Sequence, residues 1–417
     1  MPVGPRQRLL EIFGSAVAAV NGHACVRRYL HTHPVAAPVY LIAIGKAACA
    51  MARGAQDALG AAVRDAFIVT KRGYAEDLPW PVRVAGHPLP DEASIEAGTA
   101  LLEFSARIPA AGRVLVLLSG GASALVEVLP DGVDLKRLRE INRWLLASGR
   151  DIAACNRIRK RLSLIKGGRL AELLAPRPIL GLAIADVPGD DPRVIGSGPL
   201  TADADLQRPV DSSGLPDFVR EALAHGPPAP APDAECFRQV RYEIVATLED
   251  AKRAAAQAAR KLGHEVVIEP EFVSGAAAAA GARLARGLLQ SAAGAVHVWG
   301  GETTVRLPEA PGRGGRNQSL ALAAALVLRG HENVWLLAAA TDGSDGPTED
   351  AGALVDGGTI GRGTDAGLDA DESLARADAG EFLEASGDLI QTGPTGTNVM
   401  DIILGLRTED SGLRTQD

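Results

Sequence analysis

Six glycine-rich loops carry the hydroxyls and charges of this chain that could handle an anion. In Ile44-Gly45-Lys46-Ala47-Ala48 a lysine follows an apolar run and precedes a helical pattern. Its ammonium and the backbone N–H groups of a helix start would converge on one negative charge. A surface lysine beside a turn glycine is the plain alternative from this loop alone. No G-x-x-x-x-G-K-S/T precedes it, which excludes a Walker-type phosphate loop. In the second loop, Ser119, Gly120, Gly121, Ala122 and Ser123 combine a flexible backbone with two hydroxyl donors ahead of a helix. That pattern suits a phosphate nest, and a tight strand–helix turn would also explain it. The third loop runs from Asp186 through Gly189, Asp190 and Asp191 to Gly196-Ser197-Gly198. Carboxylates beside a Gly-Ser-Gly turn fit a magnesium–phosphate site, with Asp186 as metal ligand or base because it stands nearest the apolar run.

Three further loops lie in the second half. Gly300-Gly301-Glu302 follows an apolar run, and Gly314-Gly315-Arg316-Asn317-Gln318 opens a helical pattern. An arginine held by glycines at a helix start can bind phosphate or carboxylate with two N–H groups. Arg313, on the looser part of that loop, reads as solvent-exposed. The last pair joins Asp342-Gly343-Ser344-Asp345-Gly346 with Thr392-Gly393-Pro394-Thr395-Gly396-Thr397-Asn398. Asp342 and Asp345 are candidates for Mg²⁺ or for orienting a hydroxyl. A calcium loop counted from Asp342 fails, because its twelfth position is Ala353. His31 and His33 have no further ligand motif and do not read as a zinc site. His87 reads as a loop-holding residue. Neither a G-x-S-x-G elbow nor a G-x-G-x-x-G after a strand is present, so acyl transfer and ordinary nicotinamide chemistry lose weight.

The elements that must position these loops are apolar runs at 39–44, 66–70, 114–118, 179–185, 240–247, 266–268, 296–299 and 334–340. They show no alternation, as expected of strands covered on both faces. Helical patterns fit between them at 47–59, 94–105, 135–147, 151–162, 248–262, 276–290 and 318–328. This alternation predicts an α/β fold of two three-layer α/β/α domains with mostly parallel, doubly wound sheets. Ligands of such sheets bind at the carboxyl ends of strands, where the six loops lie. A Pro/Ala run at 226–232 reads as an extended connector. The expected domains are therefore 1–235 and 236–417. The tail after Leu406 is polar and is expected to fray.

A chain of 417 residues suits two domains, and 47% hydrophobic with 23% charged residues excludes general disorder. A net charge of -8 argues against a nucleic-acid groove. Cys25, Cys49, Cys155 and Cys236 form no C-x-x-C and read as small buried residues in a reducing compartment. The N-terminal pattern is an amphipathic helix, not a signal peptide, and no apolar run is long enough for a bilayer. The expectation is a cytoplasmic protein with no membrane or nucleic-acid partner.

Taken in order, these loops resemble the class II glycerate 2-kinases, whose C-terminal part is the MOFRL domain. The resemblance runs from about Leu9 to Leu406. It is carried by Ala43-Ile-Gly-Lys-Ala-Ala48, Gly86-His-Pro-Leu-Pro-Asp-Glu-Ala93, Leu118-Ser-Gly-Gly-Ala-Ser-Ala-Leu125, Ile165-Lys-Gly-Gly-Arg-Leu-Ala171 and Asp186-Val-Pro-Gly-Asp-Asp-Pro192. It continues through Gly300-Gly-Glu-Thr-Thr304, Gly314-Gly-Arg-Asn-Gln318, Thr341-Asp-Gly-Ser-Asp-Gly-Pro-Thr348 and Thr392-Gly-Pro-Thr-Gly-Thr-Asn-Val399. The order and spacing of the set make it specific.

The resemblance implies phosphorylation of D-glycerate at its 2-hydroxyl by ATP with Mg²⁺, in a cleft between a Rossmann-like N-terminal domain and a C-terminal domain whose MOFRL region spans about 296–406. Its proposed catalytic lysine and arginine fall on Lys46 and Arg316, with Asp186 as an acidic partner. Loops 119–123 and 196–198, with Gly189, would hold nucleotide phosphates. Substrate contacts are expected from Lys46, Glu302, Asn317, Thr397 and Asn398, and metal contacts from Asp186, Asp342 and Asp345. Domain closure would exclude water, and the enzyme would be a monomer or homodimer. Two residues depart from the family pattern: Ser319 replaces a glutamate, and Ala185 replaces a serine before Asp-Val-Pro-Gly. The alternatives are a kinase of another small hydroxy acid, a hydroxypyruvate reductase, and a non-catalytic nucleotide-binding module.

Overall fold

In the computed structural model, which describes residues 4–150 and 152–409, the first group of apolar runs becomes one parallel sheet. Its strands are β1 (Val39–Ile44), β2 (Val63–Lys71), β3 (Val82–Ala85), β4 (Arg113–Leu118), β5 (Ile179–Ile184) and β6 (Val240–Ala246). They lie in the order β3-β2-β1-β4-β5-β6, every pairing parallel. This is the doubly wound Rossmann order, and its topological switch point lies between β1 and β4. Ile42, Val69 and Val116 pack against Leu101 and Phe104 of the helix Glu92–Arg107. Asp91 starts that helix with a capping box, its side chain accepting the Ser94 N–H at 3.0 Å.

A satellite core stands beside this sheet. Helices Leu135–Ala147, Ile152–Arg161 and Asp217–Ala224 bury Ile141, Leu145, Ile158 and Val219 among themselves. The helical lobe belongs to the same compact unit as the parallel sheet, which comprises residues 21–246 and 396–398.

The second unit takes residues 4–20, 247–395 and 399–409. Its strands are β7 (Glu265–Val273), β8 (Ala295–Gly301), β9 (Val334–Ala340), β10 (Gly352–Asp356), β11 (Leu389–Ile390) and β12 (Asp401–Arg407). They form a sheet in the order β11-β10-β9-β12-β8-β7. Most of its strands share one direction, but β12 runs antiparallel between β8 and β9, and β10 runs antiparallel to β9. Four of the six strands thus run one way, in keeping with the mostly parallel sheet expected, and β10 and β12 are the reversed ones. The helix Arg316–Leu328 is apolar on nearly every side and is buried accordingly, with Leu320, Leu322 and Leu328 fully enclosed.

The division differs from 1–235 and 236–417 in three respects. β6 is the edge strand of the first sheet, so that unit extends to Ala246. The N-terminal helix Pro5–Ala19 packs on the helix Leu248–Lys261 and belongs to the second unit. The Pro/Ala run is no connector, because Arg169 Nη2 donates to the Pro227 carbonyl at 2.8 Å and Gln207 Nε2 donates to that of Pro230 at 3.1 Å. β12 ends at Arg407, and residues 410–417 of the polar tail lie outside the described residues. All four cysteines are buried thiols. Among the described residues, no single helix is long and apolar enough to cross a membrane.

Candidate active site

The loops after β1 and β4 meet at the switch point of the first sheet. The Lys46 N–H donates to the Gly120 carbonyl at 2.9 Å, and the Ala47 N–H donates to Ser119 Oγ at 3.0 Å. Only glycine fits at position 45: its φ is 135°, and a β-carbon there would lie 2.1 Å from Ser119 Oγ. A β-carbon on Gly121 (φ 85°) would fall 2.8 Å from His87 Cδ2 and 3.6 Å from Lys46 Cγ, so both side chains flank this glycine. Position 120 is as crowded. A β-carbon there would stand 1.9 Å from Asn398 Nδ2 and 2.7 Å from Asp186 Oδ2. Lys46, the 119–121 loop, Asp186 and Asn398 are thereby gathered in one unit, with Thr397 buried beside Asn398.

These loops open onto a cavity of about 560 Å³, lined by His87, Gly121, Ser123, Asp186, Gly196 and Ser197. Ser123 Oγ and Ser197 Oγ share a hydrogen bond of 2.8 Å in its wall. Three parts of the expected phosphate cradle differ from the sequence reading. The helix after Gly121 is only Ala122–Leu125, a single turn, so its dipole contributes little. In the 196–198 turn the Ser197 and Gly198 N–H groups already donate to Val194 and Ile195 carbonyls, at 2.8 and 2.9 Å. Ser197 offers its hydroxyl there, from a left-handed backbone (φ 66°), rather than an amide nest. Gly189 is exposed, with nothing within 4 Å of where a β-carbon would stand, and does not line the cavity.

The opposite wall carries residues that the loop-by-loop reading passed over: Glu127, Asn142, Asn156, Arg159 and Lys166. Lys166 and Glu127 form a buried ion pair. Lys166 lay within a motif of the resemblance, but Asn142, Asn156 and Arg159 sit in plain amphipathic helices, and no local pattern marks them. His87 was read as a loop holder, yet it lines the cavity.

In the second unit Arg316 opens the helix Arg316–Leu328. Its Nε and Nη2 donate to Asp401 at 2.6 and 2.9 Å, and its Nη1 pairs with Glu302 at 2.9 Å. Burial works against this charge, yet Asp401 and then Glu302 hold the guanidinium above its ordinary range. Asp345 is a helix cap: its carboxylate accepts the Asn317 N–H at 3.1 Å and the Gln318 N–H at 2.8 Å. Burial, and the neighbouring charge of Asp401, push its pKa up to about 7 against the pull of those N–H donors. Asp342 turns inward to accept the Ser344 N–H at 3.0 Å. Among the described residues, no three His, Cys, Asp or Glu side chains are grouped to share a metal ion. Arg313 is solvent-exposed, as expected, but it is held in place: Nη2 pairs with buried Asp350 at 2.9 Å, Nη1 with Glu384, and its N–H donates to Asp378 at 2.7 Å.

Residues 8–212 match a family model described as a domain of unknown function, DUF4147, and residues 295–401 match the MOFRL family. The chain is 37% identical to a D-glycerate 2-kinase of Thermotoga maritima over 386 residues, 88% of this chain and 90% of that one. The crystal structure of a Thermotoga maritima glycerate kinase superposes with a TM-score of 0.84 at 35% identity, covering 97% of this chain and 99% of that one. The chain belongs to the glycerate 2-kinase family. A protein of Agrobacterium vitis named a putative hydroxypyruvate reductase is also similar, 38% identical over 417 residues, 96% of this chain and 94% of that one.

Both departures from the glycerate 2-kinase pattern are buried. Ser319 Oγ donates to the Gly315 carbonyl at 2.8 Å, so the hydroxyl braces its own helix and supplies no negative charge. Ala185, directly after β5, is fully enclosed, its N–H donating to the Ala246 carbonyl at 3.0 Å.

Proposed function

We propose that this member of the glycerate 2-kinase family transfers the γ-phosphoryl group of ATP to the 2-hydroxyl of D-glycerate, giving 2-phosphoglycerate and ADP. The observation that carries the reading is the junction of Lys46 with the Ser119–Gly121 loop at the β1/β4 switch point, with Asp186 and Asn398 against Gly120. Phosphoryl transfer passes through a loose transition state whose charge spreads over oxygens, so catalysis is mostly positioning and cationic stabilisation. Lys46 supplies the positive charge. Ser123 and Ser197 supply hydroxyl donors on the cavity wall, and the Asn398 amide orients the acceptor. Asp186 is the candidate either to take the proton of the attacking hydroxyl or to hold Mg²⁺.

Mg²⁺ commonly takes one or two protein carboxylates and completes its shell with phosphate oxygens and water. Half-buried Asp186 at the cavity fits such a role, whereas Asp345 does not, since both of its oxygens accept helix N–H groups. Bound there, the ion would neutralise charge on the phosphate oxygens. Arg316, on the second unit, keeps a fixed charge through its two carboxylates and is the family's second functional cation. The enzyme is inferred to be cytoplasmic.

Hydroxypyruvate reduction is the second reading, favoured by the parallel Rossmann order of the first sheet and the name of the Agrobacterium relative. The turn after β1 weighs against it, because the second glycine of a dinucleotide fingerprint counted from Gly45 falls on Ala47. Coupled ADP release over a panel of small hydroxy acids, with NAD(P)H oxidation by hydroxypyruvate in parallel, separates these readings. Turnover with D-glycerate and phosphate on the 2-oxygen of the product is the expected result. NAD(P)H oxidation without ADP release would overturn it.

A further inference from the structure

Arg159 lines the 560 Å³ cavity from the helical lobe, opposite the strand-end loops. Its Nε donates to Asn142 Oδ1 at 2.9 Å and its Nη1 to Asn156 Oδ1 at 3.3 Å. Both acceptors are neutral amides that fix the plane of the guanidinium without cancelling its charge. Neighbouring cations are arranged differently. Lys160 pairs with Asp203 at 2.6 Å, Lys166 with Glu127, and Arg137 with Glu140 at 3.0 Å. Arg161 and Arg169 lack carboxylates too, but their N–H groups go to backbone carbonyls of Leu206, Arg208, Lys160, Lys166 and Pro227, and neither lines the cavity. Among the described residues, no carboxylate pairs with Arg159.

A desolvated charge without a counterion is costly, and burial here pushes the guanidinium below its ordinary range, with Cys155 opposing weakly. Such a group is kept charged most easily by a ligand that brings the missing negative charge. A planar fork held by two amides favours an oxyanion that accepts two N–H bonds at once. Around it the wall is mixed: Leu138, Val187 and Val194 are apolar, and the Ser123 and Ser197 hydroxyls lie on the far side. A volume of about 560 Å³ is typical of pockets for nucleotide-sized ligands and far exceeds a three-carbon acid.

We infer that Arg159 is a phosphate-binding residue for the nucleotide, held ready by Asn142 and Asn156, and that the cavity between the strand-end loops and the helical lobe is the nucleotide subsite. The nucleotide as ligand rests on the kinase reading; the oxyanion chemistry does not. The same fork could take the carboxylate of the hydroxy acid, and the two sources have different signatures.

The test uses the full chain with Arg159→Gln, which removes the charge, and Arg159→Lys, which keeps the charge but loses the fork. ADP binding is measured by calorimetry without acceptor, and KM for ATP and D-glycerate is measured separately. For Arg159→Gln we expect ADP to bind at least ~10-fold more weakly, the KM for ATP to rise in step, and the KM for D-glycerate to stay within about twofold. Arg159→Lys should fall between this variant and the wild type, and it carries the test if the glutamine variant does not fold. Unchanged ADP affinity in a folded variant overturns the inference. A rise confined to the D-glycerate KM also overturns it, assigning Arg159 to the acceptor carboxylate. Because ADP binding needs no turnover, a protein that binds ADP through Arg159 but does not phosphorylate glycerate would defeat the proposed function and leave this subsite standing.

Discussion

Arg316 and Asp401 form a two-pronged pair, Nε to Oδ2 at 2.6 Å and Nη2 to Oδ1 at 2.9 Å, between the first turn of a helix and the start of β12. Asp401 is 2% exposed, so the arginine is the counterion of a buried carboxylate as well as the proposed functional cation. Arg316→Ala should therefore fail twice. The kcat for glycerate phosphorylation should fall by at least roughly 100-fold, and stability should drop by about 3 kcal/mol as Asp401 loses its partner. Denaturant melts and kinetics on the folded fraction separate the two losses. Wild-type-like turnover in that fraction would sink the catalytic role.

The Lys46 backbone N–H ties the β1 loop to Gly120, a bond that a change of side chain leaves in place. Lys46→Ala should lower kcat by at least roughly 100-fold in the folded enzyme. A folded alanine variant with normal kcat would remove Lys46 from the mechanism.

Asp345 predicts a pH effect. Its folded pKa of about 7 lies above the ordinary carboxylate value, so between pH ~4 and ~7 the folded protein holds a proton that the unfolded chain has released. Stability from this group is fully present below that window and is lost as pH rises through it. Asp345→Asn cannot titrate. The melting temperature of the wild type relative to Asp345→Asn should be higher at pH 5 than at pH 8. A difference that is flat with pH, or grows toward pH 8, contradicts the raised pKa.

Gly120→Ala would place a methyl group where the Asn398 amide and the Asp186 carboxylate now stand. Those side-chain ends must give way, and misplacing reacting groups by about 1 Å costs on the order of 100-fold in rate. Activity should fall by ~10–100-fold with little change in melting temperature. Full activity would show that neither side chain needs its present position.

Arg313 offers the contrast with Arg316. Since it pairs with buried Asp350, Arg313→Ala should cost about 1–2 kcal/mol of stability, yet leave the kcat of the folded enzyme within about twofold. A large fall in kcat at unchanged stability would mean that the functional arginine of this loop has been misassigned.

Much of the site was legible in local chemistry. Gly45, Gly120 and Gly121 are glycines because side chains or backbone geometry exclude anything larger, and such positions announce themselves as glycine clusters after apolar runs. Lys46 and Arg316 stand out as cations inside those clusters. Less visible were the strands with little local signal. β3 is a short edge strand with exposed Arg83, and β12, which follows a loop of Gly, Pro and Thr, is not among the expected apolar runs.

By itself, the sequence determined the α/β layering, the loops at the ends of the β1 and β4 strands, and the family, because continuous apolar runs and glycine clusters are local consequences of burial and tight turns. Only the tertiary structure decided what those loops face. It counted residues 396–398 with the first unit and brought Asn398 against Gly120, turned Asp345 into a helix cap, and aimed Arg159 from a helical lobe into the cavity. Each of these depends on contacts between residues far apart in the chain. Whether a charge is a ligand, a cap or a counterion is set by which distant group meets it, and no spacing along the sequence records that.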